Sequence, residues 1–392
     1  MTTREASTPS AYIGRTSRTP SRSLLDAGWS SPLGDLELPD GDSITRIKSV
    51  QESAFPILGI PEGFGGLGGD MLAIASAQRQ LGLLDPGLAI GLCMHAHSVG
   101  VMVEHQRREK DTSWMLLEAI AGRHCLVGSA FAEPGGSANL MRPLMKAVKD
   151  GKGYRLTGVK FPCSLVTTAE LFCLSAAAEN GETIVALCAG ESDGVTRDGS
   201  AWPSLGMRSS DTGKLTLTDV ALDDRLVYHR APTGSLDPIV TMGFVWFAVL
   251  MGATYSGVLT SLVELASEGS RRKASAATGP IPPLIGSAAR EVLSLTGATQ
   301  WLARAWADGH VSPDAALAAA MGVRAAASTT RDRVFSALAP VIGSRLYTSG
   351  QQAAALALDS LAVHHHPPAL LVCDTGVGAA CLGAPVDFDL AK

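Results

Sequence analysis

The chain has 392 residues, of which 46% are hydrophobic and 18% charged, and its formal net charge at pH 7 is −5. This composition provides enough apolar surface for a large buried core, so it excludes general disorder. The small net charge, together with the lack of a long Lys/Arg tract, argues against nucleic acid or an acidic membrane surface as a partner. A small-molecule or carrier-bound substrate fits the composition better.

The seven cysteines are scattered singly, without a Cys-x-x-Cys pair. An odd number of isolated cysteines without a secretory signal is typical of buried thiols in a reducing cytoplasm, where we expect the protein. No uninterrupted apolar run of about 18 residues is present, so the sequence predicts no membrane-spanning segment. Residues 1–42 are rich in Ser, Thr, Arg and Pro, which weakly resembles an organelle transit peptide but favours a flexible N-terminal arm.

Hydrophobic periodicity divides the rest of the chain into three parts. Apolar residues recur at helical spacing over residues 43–123, with a glycine-rich loop at 59–70 whose Asp70 can cap the next helix. Short β-rich runs separated by Gly, Asn, Asp and Pro turns fill residues 124–232. Helical patterning returns over residues 233–392. The sequence therefore predicts a helical domain, an all-β domain and a second helical domain, in that order.

Four segments along this pattern share an order and spacing with motifs of one enzyme superfamily. The segments are Gly-Ile-Pro-Glu-Gly-Phe-Gly-Gly-Leu-Gly-Gly-Asp at 59–70, Ser-Ala-Phe-Ala-Glu-Pro-Gly-Gly-Ser at 129–137, Gly-Tyr-Arg-Leu-Thr-Gly-Val-Lys at 153–160 and Leu-Gly-Met-Arg-Ser-Ser-Asp-Thr at 205–212. Each motif alone is weak, since Gly-rich loops and hairpins are common. Together they resemble the acyl-CoA dehydrogenases over roughly residues 43–384.

The resemblance implies an α+β fold with an N-terminal α-helical domain, a central β-barrel and a C-terminal four-helix bundle, usually as a homodimer or homotetramer. It also implies FAD or FMN, held between the barrel and the bundle. The loop at 131–137 would offer backbone N–H groups to the flavin, where they stabilise the negative charge of its reduced form. The cofactor-binding residues implied are Phe131, Ala132, Gly135, Ser137, Pro162, Ser164 and Arg272.

The chain departs from this family where the dehydrogenase chemistry occurs. A glutamate base removes the α-proton in that reaction, and the two positions at which relatives carry it fall on Pro367 and Phe247. Neither side chain can accept a proton. The flavin contacts differ too, because Ala132 stands for the usual threonine and Pro162 for the usual tryptophan, while Ser164 keeps a hydroxyl.

The C-terminal segment is more similar to the flavin-dependent monooxygenases that share this fold. In those enzymes a histidine follows an Arg-Asp or Arg-Asn pair by seven residues, and His366 occupies that position here after Leu358-Asp359. An ordinary pKa of about 6.5 suits a histidine to proton transfer near neutral pH, so His366 is the predicted catalytic residue. The alternative is a solvated His-His-His-Pro-Pro helix end. Adjacent histidines without a Cys, Asp or Glu cluster make no metal site.

Phe247 and His97 are the residues predicted to line the substrate site, although the divergence of His95 and His97, two apart on a helix, favours structural roles for these histidines. Three functions remain open at this point. The first is a monooxygenase that acts on a small or carrier-linked metabolite, using reduced flavin from a separate flavin reductase. The second is a dehydrogenase or oxidase of an acyl thioester, on CoA or a carrier protein, without the usual base. The third is a redox-inactive homologue with a binding or non-redox catalytic role.

Overall fold

The computed structural model describes residues 24–135, 142–271 and 279–386. Its N-terminal part is helical. Its helices are α1 (Ser43–Gln51), α2 (Met71–Leu84), α3 (Pro86–Glu109) and α4 (Trp114–Arg123). The Asp70 side chain accepts a hydrogen bond from the backbone N–H of Ala73 at 2.7 Å, as predicted for the cap of α2. The loop before it needs glycine, because a Cβ at Gly66 would lie 2.0 Å from the carbonyl oxygen of Ile60.

Eight strands follow, and they form one mixed sheet. The strands are β1 (Val127–Ala130), β2 (Lys146–Asp150), β3 (Gly153–Cys163), β4 (Leu171–Ala178), β5 (Glu182–Ala189), β6 (Val195–Asp198), β7 (Gly213–Asp223) and β8 (Val227–Pro232). Their order is β6-β7-β3-β2-β4-β5-β8, with β1 parallel to β4. The terminal strands β6 and β8 do not pair with each other in the described residues, so the sheet there is not closed into the expected barrel.

The strand β3 continues three residues past Lys160, where the sequence pattern had predicted its end. The register between β3 and β7 shifts between Lys160 and Cys163, at a bulge or irregularity. Such a shift bends a strand and redirects its side chains. This bend lies directly before Ser164, one of the predicted cofactor-binding residues.

The C-terminal helices surround α5, which is long and almost entirely buried. They are α5 (Pro238–Arg271), α6 (Ile281–Ala307), α7 (Pro313–Ile342), α8 (Gln352–Ser360) and α9 (Leu370–Cys381). Helix α5 packs against α2, α3, α6 and α7. Glycines permit the closest approach, since a Cβ at Gly257 would lie 2.4 Å from the carbonyl oxygen of Arg79 on α2. A separate four-helix bundle stays a prediction.

Two helices, α3 and α5, have the length and hydropathy of a membrane span. In the most apolar window of each helix, 89% and 83% of the residues are buried inside the protein. Most of each window is therefore packed inside the protein, as in a core helix. Six of the seven cysteines are buried free thiols, as predicted, whereas Cys381 is exposed.

Candidate functional site

A buried ion pair joins the loop after β1 to strand β3. The Lys160 ammonium, which has no exposed surface, lies 2.7 Å from a carboxylate oxygen of Glu133. The backbone N–H groups of Leu144 and Met145 donate to the same carboxylate at 2.6 and 2.9 Å. Burial raises the pKa of Glu133, but the hydrogen bonds and the Lys160 charge outweigh it, so the net shift is downward. Glu133 is therefore an ionised anchor for the loop.

A hydroxyl network holds the segment after β3 against the segment before β7. Ser164 Oγ lies 2.8 Å from Thr212 Oγ1, which lies 2.7 Å from Ser210 Oγ. The Asp211 carboxylate accepts four hydrogen bonds, from the backbone and hydroxyl groups of Thr167 and Thr168, at 2.7 to 3.0 Å. These contacts fix the position of the Ser164 hydroxyl.

A cavity of about 300 Å³ borders this network. Its wall includes the side chains of Trp202, Arg208 and Thr212. The Trp202 indole meets the Phe161 ring edge to face, at a centroid distance of 5.4 Å. The cavity thus lies beside the loop that carries Pro162, which is itself exposed, and Ser164.

Four of the predicted site residues come together in one continuous row of aromatic rings. The His97 ring meets Phe131 and Phe247 edge to face at 6.4 and 6.3 Å, and Phe247 meets His366 at 6.4 Å. The row ends at Tyr255, whose ring lies 5.8 Å from His366. Residues from the loop after β1, from α3, from α5 and from the segment after α8 therefore share one site.

His97 presents an unpaired acceptor to this row. Its Nε2 lies 3.0 Å from the carbonyl oxygen of Gly243, which can only accept, so Nε2 carries the proton. Burial lowers the pKa of His97 to about 4, and the bond to Gly243 only partly opposes this shift. The ring is therefore neutral near pH 7, and Nδ1 is a buried lone pair without a hydrogen-bond partner in the described part of the chain. A buried polar atom of this kind calls for a ligand or a water molecule.

His366 differs from its histidine neighbours. His364 is paired with Asp332 at the surface and His365 is exposed, as a solvated helix end would be. The His366 ring faces inward, and its Nε2 lies 2.8 Å from the hydroxyl of Tyr255. Burial, followed by the charges of Arg324 and His365, lowers the pKa of His366 to about 3. The expectation that it titrates near neutral pH is therefore wrong, because its ring is taken out of water beside a cation.

Three further polar residues, two of which contact His366, were not predicted as functional candidates. Tyr255 is fully buried, and Arg324, 2% exposed, donates to the carbonyl oxygens of Val363 and His366. Asp359 accepts a hydrogen bond from the Met207 N–H at 2.6 Å. Burial and the charge of Asp85 raise the pKa of Asp359 to about 6. Two signals were available, the motif position of Asp359 and Arg324 as a lone charge within an Ala-rich stretch of α7.

The loop predicted to hold the flavin has backbone N–H groups that are not used in hydrogen bonds within the described residues. The N–H groups of Ala132, Glu133 and Gly135 have no acceptor in the described residues, while the carbonyl of Ala132 accepts from Phe161 at 2.8 Å. Gly135 adopts φ +106°, and a Cβ there would meet nothing within 4 Å. Open amides, a bare glycine and an aromatic wall fit a flavin ring. Of the remaining candidates, Ser137 and Arg272 lie outside the described residues.

Comparison with known proteins finds similar proteins both by sequence and by structure. No family model matches the chain. The isobutylamine N-hydroxylase of Streptomyces viridifaciens is 28% identical over 320 residues, which cover 79% of this chain and 82% of that protein. Solved structures with the same fold include the FMN-bound dibenzothiophene monooxygenase TdsC of Paenibacillus sp. A11-2, with a TM-score of 0.78 at 19% identity, covering 89% of this chain and 93% of TdsC.

The butyryl-CoA dehydrogenase of Megasphaera elsdenii has a TM-score of 0.75 at 17% identity, covering 86% of this chain and 89% of the dehydrogenase. At such identities the solved structures establish the fold, and the curated relative adds the likeness in sequence. The shared fold and the sequence similarity both agree with the family resemblance predicted from the four motifs. The chain therefore has the acyl-CoA dehydrogenase fold, as predicted, and is similar in sequence to an isobutylamine N-hydroxylase.

Proposed function

We propose that the protein is a monooxygenase that uses reduced flavin to hydroxylate the nitrogen of a small, largely apolar amine. The observation that carries this proposal is the unpaired Nδ1 of His97, a buried acceptor on a ring that contacts the rings of Phe131 and Phe247. An N–H group of a substrate satisfies this acceptor. The similarity to an isobutylamine N-hydroxylase supports a small alkyl amine as the substrate.

The aromatic surroundings also favour the reactive form of an amine. An alkyl amine resembles a lysine side chain, whose ordinary pKa is about 10.4, so in water at pH 7 it is a cation without a free lone pair. A site walled by Phe131 and Phe247 disfavours the charged form by desolvation. His97 then accepts an N–H from the neutral amine and orients its lone pair. Uncharged His366 is the second polar group of the row and the proposed site of hydrogen bonding during oxygen transfer.

Reduced flavin, when bound, supplies two electrons to dioxygen, so that one oxygen atom enters the substrate and the other leaves as water. The residues proposed to hold it are Phe131, Ala132 and Gly135 in one loop and Pro162 and Ser164 in the next. Ser137 and Arg272 complete the proposed set. Either FAD or FMN is compatible with these contacts, and we propose that a separate reductase delivers the flavin already reduced.

The finer architecture of the family belongs to the same proposal. We propose that the strands serve as the barrel domain at 124–232, between a helical domain at 43–123 and a four-helix bundle at 233–392, after an N-terminal arm at 1–42. Assembly as a homodimer or homotetramer in the cytoplasm goes with that architecture. Dehydrogenation of an acyl thioester, on CoA or a carrier protein, is disfavoured because Phe247 and Pro367 offer no base.

The decisive experiment supplies the purified protein with FAD or FMN, NADH, a general flavin reductase and ¹⁸O₂. Isobutylamine and other short primary amines are offered beside matched alcohols, dibenzothiophene and butyryl-CoA. We expect a hydroxylamine that carries one ¹⁸O atom, detected by mass spectrometry. Anaerobic bleaching of bound flavin by butyryl-CoA, without oxygenated amine, would refute the proposal.

Paired variants locate the chemistry. His366→Gln, which removes the ring that carries the proposed donor, is expected to lower kcat about 100-fold, within the range for a lost hydrogen-bond donor. His364→Gln, two residues away at the surface, is the matched control and should leave kcat unchanged. His97→Phe removes the acceptor but keeps an aromatic ring, so KM for the amine should rise at least tenfold. Equal KM values in His97→Phe and the parent protein would exclude His97 from substrate binding.

A further inference from the structure

The hydroxyl of Tyr255 has a single partner in the described residues. It lies 2.8 Å from Nε2 of His366, and the tyrosine side chain has no exposed surface. The two side chains come from α5 and from the segment after α8, which are 111 residues apart in the chain. A tyrosine hydroxyl can donate or accept, and so can either nitrogen of a neutral imidazole.

Counting donors and acceptors selects one arrangement. If Nε2 of His366 carried the proton, it would donate to the Tyr255 oxygen, and the hydroxyl proton of Tyr255 would be buried without an acceptor. A buried donor without an acceptor costs about 1–3 kcal/mol. If the hydroxyl of Tyr255 donates to Nε2, the hydroxyl proton has its acceptor and the imidazole proton resides on Nδ1, which is not among the fully buried side-chain atoms that lack a partner. Nδ1 of His366 has no hydrogen-bond partner in the described residues, so its N–H stays available.

Arg324 fixes the backbone that carries this ring. Its guanidinium donates to the carbonyl oxygens of His366 and Val363, and to the Ser328 hydroxyl at 2.8 Å. No carboxylate lies within ion-pair distance of it in the described residues. The charged or titratable groups that face His366 are Arg324 from α7, Tyr255 from α5 and the adjacent His365. A second positive charge on the imidazole would therefore be repelled.

We infer that Tyr255 is a positioning residue that holds His366 in the tautomer with the proton on Nδ1, and that Arg324 holds the backbone of His366 in place and adds a positive charge that opposes protonation of the ring. The consequence for catalysis rests on the proposed function: His366 offers the reactants a neutral N–H donor rather than an imidazolium acid. The tautomer itself is a property of the protein alone. It can be measured without cofactor, substrate or turnover.

The test is ¹⁵N NMR of the protein labelled at histidine nitrogens, with the His366 signals assigned by their loss in His366→Gln. We expect Nδ1 of His366 to be protonated in the parent protein and the proton to move largely to Nε2 in Tyr255→Phe. The matched control is Tyr228→Phe, since Tyr228 is equally buried but pairs with Cys173 at 3.1 Å. A protonated Nε2 in the parent protein, or an unchanged tautomer in Tyr255→Phe, would overturn the inference.

Arg324 has its own measurement. In the parent protein we expect the His366 signals to show no titration between pH 5 and pH 8, because the pKa lies near 3. Arg324→Met should bring the midpoint upward, whereas Arg324→Lys, which keeps the charge and is the more conservative change, should not. A parent ring that titrates near pH 6.5 would overturn the role of Arg324. Ser328→Ala, which removes only the other partner of Arg324, should leave the titration unchanged.

Activity separates this inference from the proposed function. With an active amine substrate, Tyr255→Phe should lower kcat about tenfold, less than His366→Gln, with KM nearly unchanged. An unchanged kcat would refute the catalytic consequence. If no amine is oxygenated but the NMR result is as expected, the proposed function fails and the tautomer assignment stands.

Discussion

Two sides of the candidate site are built on different principles. The strand side consists of the loops 131–135, 161–164 and 207–212, and the helix side consists of the rings and charges of His97, Phe247, Tyr255, Arg324 and His366. On the strand side the carboxylates of Glu133 and Asp211 accept three and four hydrogen bonds. On the helix side Nδ1 of His97 and Nε of Arg324 have no partner in the described residues.

This difference separates scaffold from chemistry. The motifs that carry the family resemblance lie mainly on the strand side. Their polar side chains form hydrogen bonds that hold one segment to another. The residues that depart from the family pattern lie on the helix side, where aromatic rings and histidines stand in place of a carboxylate base. The fold can therefore be inherited while the reaction changes, because different residues serve the two purposes. Substitutions on each side can test this division.

The largest expected effect is the loss of the buried ion pair on the strand side. Lys160→Met leaves the Glu133 carboxylate buried with two backbone donors but no cation. Breaking a buried pair in this way should lower the free energy of unfolding by about 3–5 kcal/mol. Urea denaturation followed by circular dichroism measures this change.

Lys149→Met is the matched control, since the Lys149 pair with Asp224 is about half exposed on both sides. Its loss should be within about 1 kcal/mol. Similar losses for the two lysine variants would show that the strand side does not depend on the Glu133 anchor. Such a result would remove the main support for calling it the scaffold.

The next effect concerns a polar group of α3, the helix that also carries His97, whose carboxylate accepts two hydrogen bonds. Glu104 on α3 accepts the indole N–H groups of Trp246 on α5 and Trp306 on α6, both at 2.7 Å. Glu104→Leu leaves two donors without an acceptor and should cost about 2–3 kcal/mol. Glu104→Gln keeps an acceptor oxygen and loses only the buried charge, so thermal unfolding should show less than half of that loss. Equal losses in the two variants would mean that the charge, and not the hydrogen bonds, joins the three helices.

Much of the strand side could be predicted from sequence because its signals are local. Turn glycines, an alternating hairpin and a capping aspartate mark their own structure. The Asp70 cap and a strand over residues 153–160 are confirmed, although that strand continues to Cys163. The motif order also predicted the shared fold. What local patterns could not show is whether the sheet closes, since closure depends on pairing between β6 and β8, which no spacing reveals.

The helix side was less predictable because its chemistry depends on contacts distant in sequence. His366 was found through its spacing from Asp359, but its pKa was misjudged, since the burial of the ring and the proximity of Arg324 arise only in the fold. Tyr255 lies in a helix that any apolar-periodic reading assigns to the core. The rings that His97 contacts come from two other elements. A residue's role there follows from its neighbours and not from its type.

A smaller effect, with a defined pH dependence, is expected at Asp359 where the two sides meet. Its pKa is near 6 in the folded protein, against about 3.9 in an unfolded chain, so folding favours the protonated carboxyl. The stability from this group is complete below pH 4 and is lost as the pH rises through 6. Asp359→Asn keeps an acceptor for the Met207 N–H without the charge, so at pH 8 it should stabilise the protein by about 1–2 kcal/mol. At pH 4 the two proteins should unfold alike in urea, and a gain that persists there would assign it to another cause.

The smallest effect on stability is expected at Gly135, which decides whether the strand side does more than support the site. Its φ of +106° is strained for any residue with a Cβ, yet a Cβ there would meet nothing within 4 Å. Gly135→Ala should therefore cost only about 1 kcal/mol of unfolding free energy, through backbone conformation alone. If the amides of this loop hold the flavin, the same substitution should weaken binding of FMN at least tenfold in a fluorescence titration, because the loop must change shape to relieve the strain. A Gly122→Ala variant, in helix α4 where a Cβ also meets nothing, is the control and should bind FMN normally. An unchanged FMN affinity in Gly135→Ala would mean that cofactor binding depends on the helix side. The strand side would then serve only as scaffold.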